Sequence, residues 1–133
     1  MKRLAVIMGI AIMAAVTTSG TASAVSGPPS GAPCSVGKGA TACFEAYGDV
    51  IWIKDNVKDG KGVTAGWSLA SAPDDPRWCT NTLGSDAGWA SCGMASEIPE
   101  NDEISFRALV VGSDGTPENG SGTAGPLVFA ATS

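Results

Sequence analysis

Residues 104–111 show the clearest alternation of apolar and polar positions in the chain. Four alternate positions would form one apolar face: Ile104, Phe106, Ala108 and Val110. The intervening positions begin polar at Ser105 and Arg107 and become apolar towards Val111. A period of two residues places successive side chains on opposite faces of a strand. The segment is therefore predicted to be a β-strand with one face in the core.

A second alternating segment, residues 63–70, follows a turn signal. Residues 50–53 are β-branched and aromatic, and residues 58–62 between the two segments centre on Asp59 and Gly60. Asp-Gly is one of the dipeptides that tight hairpin turns favour. The pattern predicts that residues 50–53 and 63–70 pair as a β-hairpin.

The rest of the chain alternates between short strand signals and turn-rich stretches. Further strands are predicted at residues 42–47, 77–83 and 127–131, and loops at residues 71–76, 84–93 and 112–125. No window of the mature chain has a sustained apolar stripe of helical period between caps. The predicted fold class is all-β, a small antiparallel sandwich or barrel of about six to seven short strands.

The N-terminus has the parts of a secretory signal peptide in the right order. Basic Lys2 and Arg3 precede an apolar run over residues 4–16, and Ala22-Ser23-Ala24 fits a small-x-small cleavage site. The run is shorter than the roughly 20 residues that a transmembrane helix needs. The prediction is a signal peptide at 1–24, a flexible Gly/Pro/Ser tether at 25–33, one domain at 34–133, and secretion.

Four cysteines, an even number in an exported chain, indicate disulfides. Three connectivities are possible, and we favour Cys34–Cys43 with Cys79–Cys92 because each pair closes a short loop. The alternative, a zinc site of four cysteines, usually has pairs two to four residues apart, and this chain has none. The sequence therefore predicts two local disulfides and no metal site.

Charge and composition exclude several functions. Removing Lys2 and Arg3 with the signal peptide takes the net charge from −5 to −7. Nucleic-acid binding requires a basic surface, so no nucleic acid is expected as a partner, and no membrane insertion is expected. The chain has no His, which excludes Ser-His-Asp and Cys-His catalysis. No cofactor motif is present, and no catalytic residue is assigned.

Acidic residues leave one enzymatic alternative open. Two groups lie close together in the sequence: Asp74 and Asp75, and Glu97, Glu100, Asp102 and Glu103. A glycan hydrolase uses two carboxylates on either side of a cleft. A chain of this length has little room for such a cleft, so these side chains are expected to be solvent-exposed loop charges.

Residues 55–60 resemble the start of an EF-hand loop only in part. Asp55, Asp59 and Gly60 fit positions one, five and six, but Val57 and Gly66 stand where ligands are required. A turn explains these residues better than a calcium site.

Two of the four tryptophans are the candidate ligand-binding residues. Trp78 and Trp89 lie in polar, Gly-rich surroundings near Cys79 and Cys92, whereas Trp52 and Trp67 lie in predicted strands. The indoles of Trp78 and Trp89 could cover the second disulfide, or they could form a platform for a sugar or peptide, since tryptophan suits interfaces.

Several short motifs between residues 34 and 111 resemble a group of small secreted, disulfide-containing actinomycete proteins of uncharacterised function. They are Cys43-Phe44, Tyr47-Gly48-Asp49, Asp59-Gly60, Cys79-Thr80-Asn81-Thr82-Leu83-Gly84, Trp89, Cys92 and Phe106-Arg107. Members of that group often have a further cysteine pair in the last two strands, which is missing here at Leu109 and residues 127–131. The resemblance implies no activity and no site residue.

These features favour a non-catalytic binding or interaction module whose partner is an extracellular protein or glycan. The alternatives are a carboxylate-dependent glycan hydrolase and a structural component of the cell or spore surface. Small size, disulfides and the missing catalytic groups favour the first.

The signal peptide gives a first testable prediction. The secreted protein is expected to begin at Val25, because cleavage follows the small-x-small site. Mass spectrometry of culture supernatant measures this directly. A secreted form that retains residues 1–24 would contradict the assignment of the compartment.

Overall fold

The computed structural model describes residues 27–112, 117–118 and 124–133. Its strands are β1 (Cys34–Val36), β2 (Ala40–Glu45), β3 (Val50–Asp55), β4 (Gly62–Leu69), β5 (Ala72–Asn81), β6 (Trp89–Gly93), β7 (Glu103–Val111), β8 (Pro117–Glu118) and β9 (Val128–Ala131). A short 3-10 helix, Ser85–Ala87, lies between β5 and β6. The predicted signal peptide, the start of the tether and most of the predicted loop at 112–125 lie outside the described residues.

The strands form two antiparallel sheets. The first sheet has four strands in the order β1-β2-β3-β6, and the second has five, β5-β4-β7-β8 with β9 also on β7. The predicted all-β class and antiparallel arrangement are confirmed. There are more strands than the sequence predicts, because β1 and β8 span only 3 and 2 residues and show no readable alternation.

The core lies between the sheets and takes side chains from alternate positions of both. Phe44 on β2 and Phe106 on β7 are fully buried, and their ring centroids are 6.3 Å apart. The predicted apolar face of residues 104–111 is confirmed, since its four side chains are all buried. Apolar contact across the sandwich, rather than any helix, therefore encloses the core.

The predicted hairpin between residues 50–53 and 63–70 is wrong. β3 pairs with β2 and β6 in the first sheet, whereas β4 pairs with β5 and β7 in the second. The turn chemistry is present, because Asp59 Oδ1 accepts the Lys61 N–H at 2.9 Å and Gly60 has φ 72°. This turn carries the chain from one sheet to the other instead of joining paired strands.

Two predicted loops are also wrong. Residues 71–76 belong mostly to β5, which turns back directly from β4. Leu69 pairs with Ala72 and Trp67 with Arg77, so residues 73–76 are an irregularity within the strand. Proline is tolerated there because β5 is an edge strand. Residues 89–93, predicted to be part of a loop, form β6 and pair with β3.

Both predicted disulfides are confirmed. Cys34–Cys43 joins directly opposed residues of β1 and β2 within the first sheet. Cys79–Cys92 joins β5 of the second sheet to β6 of the first. The second bridge is therefore a cross-link between the two sheets.

A buried hydroxyl connects β1 to the second sheet. Ser35 is fully buried; its Oγ donates to the Pro126 carbonyl at 2.6 Å and accepts the Ala108 N–H at 3.0 Å. A Cβ at Gly125 would lie 2.2 Å from this oxygen, so only glycine fits beside it. One serine therefore positions the segment that leads into β9.

Ser35→Ala is expected to lower the free energy of unfolding by about 1–3 kcal/mol, because it leaves the buried Ala108 N–H without a partner and removes the hydrogen bond to the Pro126 carbonyl. Urea unfolding measures the loss. The matched control is Ser91→Ala, at an exposed position of β6, which is expected to change stability by less than about 0.5 kcal/mol. Equal stability of the two variants would contradict this role of Ser35.

Candidate functional site

The structure does not bring Trp78 and Trp89 together. Trp78 pairs with Gly66 on the outer face of the second sheet, whereas Trp89 pairs with Lys54 on the outer face of the first. Cys79 next to Trp78 is buried between the sheets, and alternation turns Trp78 the opposite way. The two indoles therefore lie on opposite outer surfaces of the sandwich.

Trp89 is half-buried by its neighbours. A Cβ at Gly27 would lie 2.6 Å from its Cδ1, so the segment before β1 lies against the indole. Lys54 Nζ lies 5.8 Å from the ring centroid, within the range of a cation–π contact. These contacts give Trp89 a structural role on the outer face of the first sheet.

Trp78, in contrast, borders a groove on the outer face of the second sheet. We call it the Trp78 groove; the residues that define it here are Pro76, Trp78, Arg107, Leu109 and Leu127, with Ser68 and Ser105. Its volume is about 240 Å³. Trp78 is 53% exposed and Leu127 is 52% exposed, so the groove presents apolar surface to solvent.

Gly66 makes room for the indole of Trp78. A Cβ at Gly66 would lie 2.8 Å from Trp78 Cζ3 and 3.4 Å from Leu109 Cδ1. The six-membered ring therefore occupies the space above the glycine, with Leu109 beside it. This close contact holds one part of the indole in place and leaves the rest accessible.

Polar groups on the same face add directional contacts. Arg107 Nε donates to the Gly125 carbonyl at 3.3 Å, which anchors the guanidinium, and no described residue pairs with its two terminal nitrogens. The Ser68 and Ser105 hydroxyls lie 3.0 Å apart and form a hydrogen bond. The described lining contains no carboxylate, so the groove combines apolar surface with one cationic group.

The edge of β5 lies next to the groove. Among the described strands, β5 pairs with β4 alone, so its other edge is open. Residues 73–76, Pro-Asp-Asp-Pro, protect the first half, because proline lacks an N–H and charges oppose the addition of a strand. Residues 77–81 stay in register with β4 and contain no proline, and their one charged residue, Arg77, is paired with Asp75 and Glu97. The edge is thus open to pairing beside Trp78.

The acidic clusters are used in other ways. Asp75 and Glu97 both bind Arg77, at 3.1 and 3.4 Å. Asp102 accepts hydrogen bonds from the Ser71 hydroxyl and the Glu103 N–H, and the first of these chiefly lowers the pKa of Asp102. None of the acids singled out in the sequence lines the Trp78 groove. The arrangement offers no support for the hydrolase alternative.

The predicted turn at residues 55–60 has the expected hydrogen bonds. Asp55 Oδ1 accepts the Val57 N–H at 3.1 Å, and Asp59 closes the next turn. Within the described residues, no group of three or more His, Cys, Asp or Glu side chains could hold a metal ion. Those residues also contain no helix long and apolar enough to cross a membrane.

The fold and its surfaces define a disulfide-linked, two-sheet β protein. No protein family, curated protein or solved structure matches the chain. The function is therefore argued from the geometry of the groove and the open strand edge.

Alanine substitutions test whether Trp78 belongs to a surface or to the core. Trp67→Ala is expected to cost about 3–5 kcal/mol, because Trp67 is 4% exposed. Trp78→Ala is expected to cost only about 1–2 kcal/mol, since half of the indole is already in solvent. Urea unfolding compares the two variants, with Trp89→Ala as a half-buried reference. Equal losses for Trp67 and Trp78 would contradict the surface assignment.

Asp49 is a buried acidic residue that does not line the Trp78 groove. It is 7% exposed, Oδ1 has no hydrogen-bond partner, and its φ is 52°. Burial raises the pKa of Asp49, and the charge of Glu100 raises it further. The folded protein therefore disfavours the ionised form, and stability falls as pH rises through the raised pKa.

Asp49→Asn is therefore expected to stabilise the protein near neutral pH, because asparagine has no charge to bury and tolerates positive φ. The gain should shrink below the pKa of an unfolded aspartate, about 3.9. Thermal unfolding at about pH 7 and about pH 3 measures both values, with exposed Asp74→Asn as control. A gain that grows on acidification would contradict the sign.

Proposed function

We propose that this protein is a secreted, non-catalytic interaction module that binds an extended segment of an extracellular protein. The segment would pair with residues 77–81 of β5 and place side chains in the Trp78 groove. The observation that carries the proposal is the exposed indole of Trp78 beside an open strand edge. The two confirmed disulfides suit the oxidising compartment that the predicted signal peptide specifies.

The open edge supports recognition of an extended chain. Strand addition satisfies unpaired backbone N–H and C=O groups along an edge, and side-chain pockets on the sheet face supply specificity. Here the half of β5 that contains Trp78 is the half without proline or irregular register. An incoming strand would therefore place alternate side chains next to the indole.

The groove has the composition of an interface centre. Tryptophan and arginine are the side chains most often responsible for affinity at protein interfaces. Trp78 and Leu127 offer apolar contact, and the terminal nitrogens of Arg107 can bind a carboxylate in bidentate geometry. The favoured ligand is a peptide with an apolar side chain and a nearby acidic side chain.

Selection from a random peptide library displayed on phage, with the secreted protein immobilised, tests the proposal. Enriched peptides are expected to combine an apolar and an acidic residue. Trp78→Ala is expected to weaken their binding by about 30-fold or more, as for an interface hot spot. Arg107→Gln should weaken the acidic peptides selectively. Trp89→Ala, on the opposite face, is the matched control and should bind normally.

Hydrogen exchange supplies a second measurement. Bound peptide is expected to protect backbone amides within residues 77–81, since the peptide adds a strand there. Failure to enrich any peptide, or undiminished binding by Trp78→Ala, would contradict the proposal. A glycan that binds the native protein and not Trp78→Ala would retain the groove but replace the peptide as its ligand.

A further inference from the structure

One end of the sandwich contains a second cavity that the proposed function does not use. It lies between the β3–β4 connection and the loop after β5, and its volume is about 320 Å³. We call it the end cavity; the residues that define it here are Asp55, Asp59, Gly60, Asn81, Leu83 and Asp86. Asp55 and Asn81 are its buried polar members, at 5% and 3% exposure.

The side-chain amide of Asn81 has one satisfied end and one unsatisfied end. Its Oδ1 accepts the Leu83 N–H at 2.8 Å, which fixes the orientation of the amide. Its Nδ2 is buried and has no hydrogen-bond partner. Buried polar groups are nearly always paired, so this unpaired donor on a residue that lines the cavity is a candidate partner for an acceptor on a ligand.

Asp55 supplies the opposite hydrogen-bonding character. It ends β3 on the inward-facing side of the strand, as Asn81 does on β5, and its Oδ1 accepts the Val57 N–H. The cavity therefore offers a carboxylate acceptor and an amide donor together. A hydroxyl group can accept from the amide and donate to the carboxylate.

Charge narrows the class of ligand further. Three acidic residues, Asp55, Asp59 and Asp86, and two basic residues, Lys58 and Lys61, line the cavity, and Lys58 binds Asp86. The nearly balanced charge favours neither an anion nor a cation. The Nδ2 donor of Asn81 opposes a metal cation at the same place, since it has no lone pair to offer. The favoured ligand is neutral and rich in hydroxyl groups.

The shape of the cavity fits one sugar ring. Its volume is at the small end of the range for ligand pockets, about 300–1,000 Å³. Leu83 is 68% exposed and offers an apolar wall for the C–H face of a sugar. Gly60 and Gly84, both at positive φ, have no other atoms within 4 Å of where a Cβ would lie, which keeps the entrance open.

We infer that the end cavity binds a neutral sugar residue, one hydroxyl accepting from Asn81 Nδ2 and donating to the Asp55 carboxylate. This site is separate from the Trp78 groove, so the protein would have one surface for a peptide and a second for a glycan. If the end cavity binds no sugar, the proposed peptide interaction at the Trp78 groove is unaffected. If the groove binds no peptide, the sugar site is likewise unaffected.

NMR titration of the isotopically labelled secreted protein tests the inference. The probes are the methyl glycosides of glucose, galactose, mannose and N-acetylglucosamine, with calcium chloride and sodium phosphate as alternatives. At least one glycoside is expected to shift the Asn81 side-chain amide and the Leu83 backbone amide saturably. Neither salt is expected to do so.

Variants separate this site from its surroundings. Asn81→Asp keeps the acceptor for Leu83 but removes the donor, and is expected to weaken glycoside binding about tenfold or more. The matched control is Asn56→Asp, an exposed amide outside the cavity, which should bind normally. Trp78→Ala should also bind normally. If Asn81→Asp does not fold, Leu83→Ala removes an exposed wall and should weaken binding instead.

Three results would overturn the inference. The first is that no glycoside moves the Asn81 amide. The second is that calcium or phosphate moves it in place of a glycoside. The third is that folded Asn81→Asp, or Leu83→Ala if that variant replaces it, binds the glycoside as tightly as the native protein.

Discussion

The Cys79–Cys92 disulfide fixes the strand on which both candidate sites depend. β5 is an edge strand with an irregular first half, so backbone pairing with β4 alone holds it loosely there. Cys79 is 1% exposed and is cross-linked to the opposite sheet, which sets the inward side of β5. Alternation then places Trp78 outward and Asn81 inward. In the chain-entropy description, a loop of this length contributes about 3 kcal/mol.

The local alternation of apolar and polar residues predicts a strand where one face of that strand is buried. The period of two over residues 104–111 predicts the four buried side chains that face the core, while Leu109 on the other face is also buried because it lies beside Trp78 in the groove. The local pattern does not predict which strands pair with residues 63–70. Asp59 and Gly60 determine a turn, but the strands that follow a turn choose their sheet through contacts distant in sequence. β4 pairs with β7, about 40 residues further along the chain, and no local signal reports that choice.

Only part of the candidate site can be predicted from the sequence. Trp78 could be identified as an unusual indole in a polar segment, but the sequence leaves open whether the indole covers the second disulfide. The residues that complete the groove come from β4, β7 and the segment before β9. Gly66, Arg107 and Leu127 become neighbours of Trp78 only through strand register. The sequence pairs Trp89 with Trp78 because a disulfide joins their segments, although that disulfide spans two sheets whose outer faces point apart.

The first half of β5 is better protected against the addition of another strand than the second half is. An open strand edge is a liability, and proteins usually protect it with proline, charge or irregularity. Residues 73–76 supply all three, whereas residues 77–81 stay in register with β4, contain no proline and have Arg77 as their only charged residue. The acidic net charge of the whole chain opposes self-association by long-range repulsion, which limits the cost of leaving this edge open. In the proposed function, this less protected edge beside an exposed tryptophan is the place where the partner strand would add.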